Sequence, residues 1–99
     1  MEQDFDKLKE AIYRLHGCQS EHLETAAVGA QFGDALGWQG NVEVFCLLNH
    51  PHARLCYAWS YRDGLAESFV AVLGLPAIRS PLDAVRAFVV AEAQKRKAN

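Results

Sequence analysis

Several things are scarce in this chain of 99 residues. Its three cysteines, Cys18, Cys46 and Cys56, are too few for a disulfide scaffold, and an odd number leaves at least one thiol unpaired. Reduced thiols in a cytoplasmic setting are the expectation. No apolar run approaches the roughly 20 residues of a membrane-spanning helix. Six of the first ten residues are charged, where a secretory leader would need an apolar core. A soluble protein without membrane association follows. An excess of positive charge is also missing: Lys plus Arg is 10 against 12 for Asp plus Glu, a net charge of -2, which supplies no field to attract nucleic acid. No P-loop, GxGxxG, GxSxG or HExxH pattern occurs, so no catalytic residue and no cofactor is assigned.

What is present describes a folded domain. Hydrophobic residues make up 51% and charged residues 22%, the balance of a globular chain rather than a disordered one. There is no repeat, low-complexity run or Pro/Gly/Ser-rich linker, which points to one domain over residues 1–99.

Two helices are marked at both ends. Over 4–16, Phe5, Leu8, Ile12 and Leu15 recur at spacings of three and four, and Gly17 follows where a helix end needs a residue that tolerates positive φ. Over 81–97, Ser80 is a good N-cap, Pro81 stands where a missing N–H costs nothing, and Asp83 completes an S-x-x-D box. Leu82, Val85, Phe88, Val89 and Ala93 form the stripe expected to be buried. Lys95, Arg96 and Lys97 complement the dipole at the helix end, which accounts for that basic cluster structurally.

Between the helices the period changes to two. Residues 41–48, 55–61 and 67–75 are rich in Val, Phe, Tyr, Trp and Leu, separated by the turn signals Asn49-His50-Pro51-His52 and Arg62-Asp63-Gly64. Residues 24–32 fit a helix or a strand. Gly29 and Gly33 disfavour the helix, so an edge strand is expected, joined to its neighbour across Gly33-Asp34 and the segment 37–40. The predicted fold is α+β: an N-terminal helix, a three- to four-stranded antiparallel meander and a C-terminal helix, with both helices packed on one face. The order of elements is similar to that of the double-stranded RNA-binding domain. That family begins its last helix with basic residues, whereas Ser80-Pro81-Leu82-Asp83 stands there in this chain, so the family's function is not implied.

Register sorts the side chains by face. With the first turn centred near Pro51, Phe45 faces Tyr57, Leu47 faces Leu55 and Cys46 faces Cys56; with the second centred near Gly64, Trp59 faces Phe69 and Leu55 faces Leu73. One face then collects Phe45, Leu47, Leu55, Tyr57, Trp59, Phe69 and Leu73, and the other Val42, Val44, Cys46, Leu48, Cys56, Ala58, Val70 and Val72. Both faces are apolar, which an antiparallel sheet with one wet side does not show.

Two helices on one face would leave the other uncovered, which calls for a second subunit, a ligand, or a sheet curled on itself. Closed two-fold pairing is the usual solution, so the expected function is a non-enzymatic binding and assembly domain that homodimerises through an aromatic sheet face. Phe45, Tyr57, Trp59, Tyr61 and Phe69 are the candidate binding residues, since large aromatics tend to carry interface energy. The alternatives are a small apolar ligand in a pocket under a curled sheet, with Tyr57, Tyr61 or Glu43 as its polar groups, and a nucleic-acid adaptor that stacks bases on the aromatics beside Arg54 and Arg62. His16, Cys18 and His22, with His50 and His52, are the only grouped metal-ligand types. Their spacing matches no zinc motif, so no metal is assigned and His50-Pro51-His52 is read as a polar turn.

Overall fold

The spacing-three-and-four pattern does produce the first helix. In the computed structural model, which describes residues 5–32 and 36–97, α1 spans Phe5–His16 and buries Leu8, Ala11 and Ile12. Leu15, expected on the same stripe, is exposed. α1 stops at Gly17, whose φ of 73° lets its N–H donate to the Tyr13 carbonyl at 2.8 Å. At the other end of the chain, α2 (Pro81–Lys97) is capped by Ser80, whose Oγ accepts from the Asp83 N–H at 3.1 Å. The Asp83 carboxylate reaches back to the Arg79 N–H at 3.0 Å, one residue before the cap.

Between them lie β1 (Gln19–Phe32), β2 (Leu36–Leu48), β3 (Leu55–Asp63) and β4 (Ala66–Leu73), in the order β1-β2-β3-β4 with every neighbour antiparallel. This is the α+β helix–meander–helix fold read from the sequence, and residues 24–32 are indeed part of an edge strand. The largest boundary differences are at two strand starts, while β3 and β4 differ by one or two residues. β1 starts at Gln19, and β2 starts at Leu36, so Gly37 and Gly40 lie inside a strand rather than in a connection. Residues 33–35, including Gly33-Asp34, fall outside the described residues, as does Asp4.

The register differs by one residue at both turns. Phe45 pairs with Cys56 and Val44 with Tyr57; Cys56 pairs with Leu73 and Trp59 with Val70. The first turn is organised by the His50 ring, whose Nδ1 accepts the N–H groups of His52 at 3.1 Å and Ala53 at 3.0 Å, with Asn49 at a φ of 66°. The second is a two-residue loop, Gly64-Leu65, with Gly64 at a φ of 68°. The first turn centre therefore sits half a residue before the expected one and the second half a residue beyond it, and each half-residue moves its pairing by a whole residue. Since side chains alternate, a one-residue slip at both of its edges turns β3 over relative to β2 and β4. Cys46 and Cys56 consequently project to opposite faces, and all three cysteines are free.

The two helices do not share a face. Leu8 and Ile12 of α1 pack with Cys18, Phe45, Leu47, Cys56 and Ala58, with Phe69, Ala71 and Leu73 at the margin. Ala84 and Val85 of α2 pack with Val28, Val42, Val44, Tyr57 and Trp59 on the other side, with Phe88 and Val89 half-buried beside them. The physical reason is the one that made both faces apolar: each needs a cover, and each helix supplies one. Leu82, expected in the buried stripe of α2, is 37% exposed.

Candidate functional site

β1 and β2 run together over almost their whole lengths, 14 and 13 residues, whereas β3 and β4 have 9 and 8. The β2–β3 ladder is short and lies at the turn end. It runs from Cys46↔Leu55 to Glu43↔Ala58, continued toward the turn by the Leu47 N–H bonded to the Arg54 carbonyl at 2.8 Å. Beyond Glu43 and Ala58 the strands part, and the sheet forks into two ribbons. The fork holds a cleft of about 380 Å³ lined by Trp38, Gln39, Gly40 and Asn41 of β2 and Trp59, Ser60 and Tyr61 of β3.

Alternation divides these walls. Trp38, Trp59 and Tyr61 project toward α2, where Trp59 meets Trp38 edge-on at 5.5 Å and Phe88 at 5.6 Å, and Tyr61 meets Phe88 at 5.7 Å. The Trp38 ring lies across Gly40, close enough that a Cβ there would come within 3.2 Å of it, so glycine is what admits the ring. Gln39, Asn41 and Ser60 project to the opposite face. The cleft is thus aromatic on one side, amide and hydroxyl on the other, and bears no charged side chain. Trp59 is 1% exposed, and its indole N–H has no acceptor among the described residues. Buried indole N–H groups ordinarily find one.

A second polar arrangement sits on the α1 side. Glu43 is 2% exposed, accepts the Thr25 hydroxyl, and lies 2.9 Å from Nε2 of His22 through the same oxygen. The His22 ring stacks on Phe5 at 4.0 Å and meets the edge of Phe45 at 5.3 Å. A carboxylate that orients an imidazole is part of a nucleophilic relay. Here, however, the hydroxyl at hand bonds the carboxylate rather than the imidazole, so the cluster works as an anchor between β1, β2 and the first turn of α1.

The five candidate residues do not form one surface. Phe45 is fully buried and Phe69 half-buried on the α1 side. Tyr57 and Trp59 are buried on the α2 side, and Tyr61, at 37% exposure, is the only one of the five with substantial free surface. Glu43 and the tyrosines, expected to serve one pocket, lie on opposite faces. Burial pushes the Cys56 thiol up to about 12, with the neighbouring Cys18 thiol a smaller contribution. It also raises Tyr57, with Asp83, Glu24 and Cys56 adding to the effect. Both groups therefore keep their protons at neutral pH and act as interior side chains. The metal-ligand types stay apart: His16 bonds the Ala71 carbonyl at 2.8 Å, His22 bonds Glu43, and Cys18 is in the core. Among the described residues no three such groups converge.

Sequence reasoning missed Trp38, Gln39, Gly40 and Asn41, because flanking glycines were read as breaks, and it missed Phe88 as an aromatic partner of β3. A tryptophan between glycines at strand spacing was the available signal. No helix among the described residues is long and apolar enough to cross a membrane. No protein-family description, curated protein sequence or solved structure matches this chain.

Proposed function

We propose that the chain is a non-enzymatic binding and assembly domain that homodimerises, and that its interface is the free edge of β1 rather than the aromatic sheet face. The argument from an uncovered apolar face no longer supports the reading, since α2 supplies that cover. What supports it is the unequal protection of the two sheet edges. Exposed edges carry unpaired backbone groups and are usually blunted by charge, proline, bulges or a covering element. On the β4 side, α1 does this: His16 donates to the Ala71 carbonyl, and Lys7 pairs with Glu67 at 3.7 Å. Among the described residues, the charges and the bulge that guard β1 lie in its first half: Glu21, Glu24 and a bulge between His22 and Glu24. Residues 25–31, Thr-Ala-Ala-Val-Gly-Ala-Gln, contain no charge and no proline.

Two copies pairing antiparallel about Val28 would join two four-stranded sheets into one of eight. The same two-fold puts both α2 helices on one face of the joined sheet, because α2 packs over β1 and β2. There the outward residues Ala87, Val90 and Ala91 add apolar area to the contact.

Light scattering after gel filtration across a concentration series tests this. A dimer is expected that Ala27→Lys converts to monomer, with the unfolding midpoint of the monomer unchanged, since Ala27 is exposed and the two lysines would be diagonal neighbours on one face beside the axis, where like charges repel. A monomer at all concentrations overturns the proposal. So does a dimer that survives Ala27→Lys and is broken by Val90→Glu, which would move the interface to α2 alone.

A further inference from the structure

We infer that the fork between β2 and β3 binds an extended, uncharged peptide segment as an added strand, with apolar side chains toward Trp38, Trp59 and Tyr61 and polar ones toward Gln39, Asn41 and Ser60. The inference is independent of the dimer. It starts from the ladders. β2 is hydrogen-bonded to β1 from Leu36 to Leu48 and β3 to β4 from Cys56 to Asp63, yet the two strands pair with each other only over 43–46 and 55–58. Both walls of the cleft are therefore strand backbone, each already paired on its outer side and diverging on its inner side. A strand entering there finds main-chain partners at ladder geometry, which is how extended peptides gain affinity from sheets.

The lining then selects side chains. A strand shows alternate residues to opposite faces, and so does this cleft: aromatic toward α2, amide and hydroxyl away from it. The occupant must alternate in the same way. With no charged residue in the lining, a charged segment would lose its hydration without gaining a partner, so the segment is neutral. The volume, about 380 Å³, suits a stretch of a few residues.

The chain has two tryptophans, and both are in this cleft, so intrinsic fluorescence reports on it alone. The probe is a blocked hexapeptide of alternating Val and Thr, titrated against the full chain, with the same peptide N-methylated at every second residue as the control. A saturable shift of tryptophan emission is expected, together with slowed amide exchange at 38–41 and 59–61 and at least tenfold weaker binding of the N-methylated peptide. Trp38→Ala and Tyr61→Ala, each checked for folding by circular dichroism, should each weaken binding about tenfold. No saturable shift up to millimolar peptide overturns the inference. Equal binding of the N-methylated peptide does too, because backbone pairing would then play no part. Unchanged binding in both folded variants likewise sinks it.

Discussion

Replacing Trp59 separates its role in the core from a role at an interface. A buried indole removes about 200 Å² from water, which at about 25 cal/mol per Å² amounts to about 5 kcal/mol. Alanine recovers part of that, and measured truncations of buried aromatics fall at about 3–5 kcal/mol. Trp59→Ala also loses the edge contacts to Trp38 and Phe88, so a cost of about 4 kcal/mol is expected. That is a large part of the roughly 5–15 kcal/mol that holds a domain of this size together. Trp59→Phe behaves differently. It keeps a ring against both neighbours and loses about 1–2 kcal/mol to a smaller side chain. It also deletes a buried donor that has no acceptor among the described residues, a group that itself costs about 1–3 kcal/mol. The two effects nearly cancel, and Trp59→Phe should lie within about 1 kcal/mol of the parent. Urea unfolding followed by far-ultraviolet circular dichroism measures both without relying on tryptophan emission. A cost under about 1.5 kcal/mol for Trp59→Ala, combined with loss of self-association, would return Trp59 to an interface and refute the assignment of β3. A cost of about 3 kcal/mol or more for Trp59→Phe would mean that the indole N–H has an acceptor after all.

Two further outcomes follow from the interior. The folded state holds the Cys56 proton up to about pH 12, whereas the unfolded chain releases it near 9.0, so stability is complete below pH 9.0 and is lost as pH rises between these values. The slope is about 1.4 kcal/mol per pH unit, and Cys56→Ala should flatten this limb in unfolding titrations; an unchanged slope would place the alkaline loss elsewhere, with Tyr57 the next group raised by burial. Glu43→Ala leaves His22 and Thr25 without their acceptor and should cost about 1–3 kcal/mol, while Glu43→Gln keeps an amide oxygen there and should cost less. Because Phe5 stacks on His22, Glu43→Ala should also speed amide exchange in the first turn of α1, and equal small costs for both variants would show that the cluster anchors nothing.

The helices were legible because their signals are local: a cap, a glycine stop and a stripe of apolar residues depend only on neighbours in the chain. The edge strand was legible for a similar reason, since Gly29 weighs against helix within its own segment. Register was not. It depended on whether the first turn centres on Pro51 or between His50 and Pro51, a matter settled by the His50 ring accepting two backbone N–H groups. That detail carries no hydropathy signal, and yet it decides which face each aromatic of β3 occupies. The presence of two apolar faces was read correctly, but which helix covers which face depends on how the chain crosses the sheet after Leu73, and both choices bury the same residues of α2. The candidate site suffered most from this, because Phe45 and Tyr57 were grouped through a pairing one residue out.

The dimer edge and the peptide cleft trace to one feature, the excess length of the β1–β2 ribbon over its neighbours. A single domain of this kind needs its strands matched, because a strand that outruns its partner leaves main-chain groups without a ladder and side chains without a cover. Here the excess is filled with residues suited to contact rather than to solvent. The outer strand carries small uncharged side chains over 25–31, and the inner one carries Trp38 between glycines, folded back on Trp59 rather than exposed. A ribbon with no role in recognition would be expected to carry the lysines and prolines that keep free strands apart. Their absence from residues 25–31 and 36–42, on both strands of the overhang, is what ties the two proposals to the same piece of the fold.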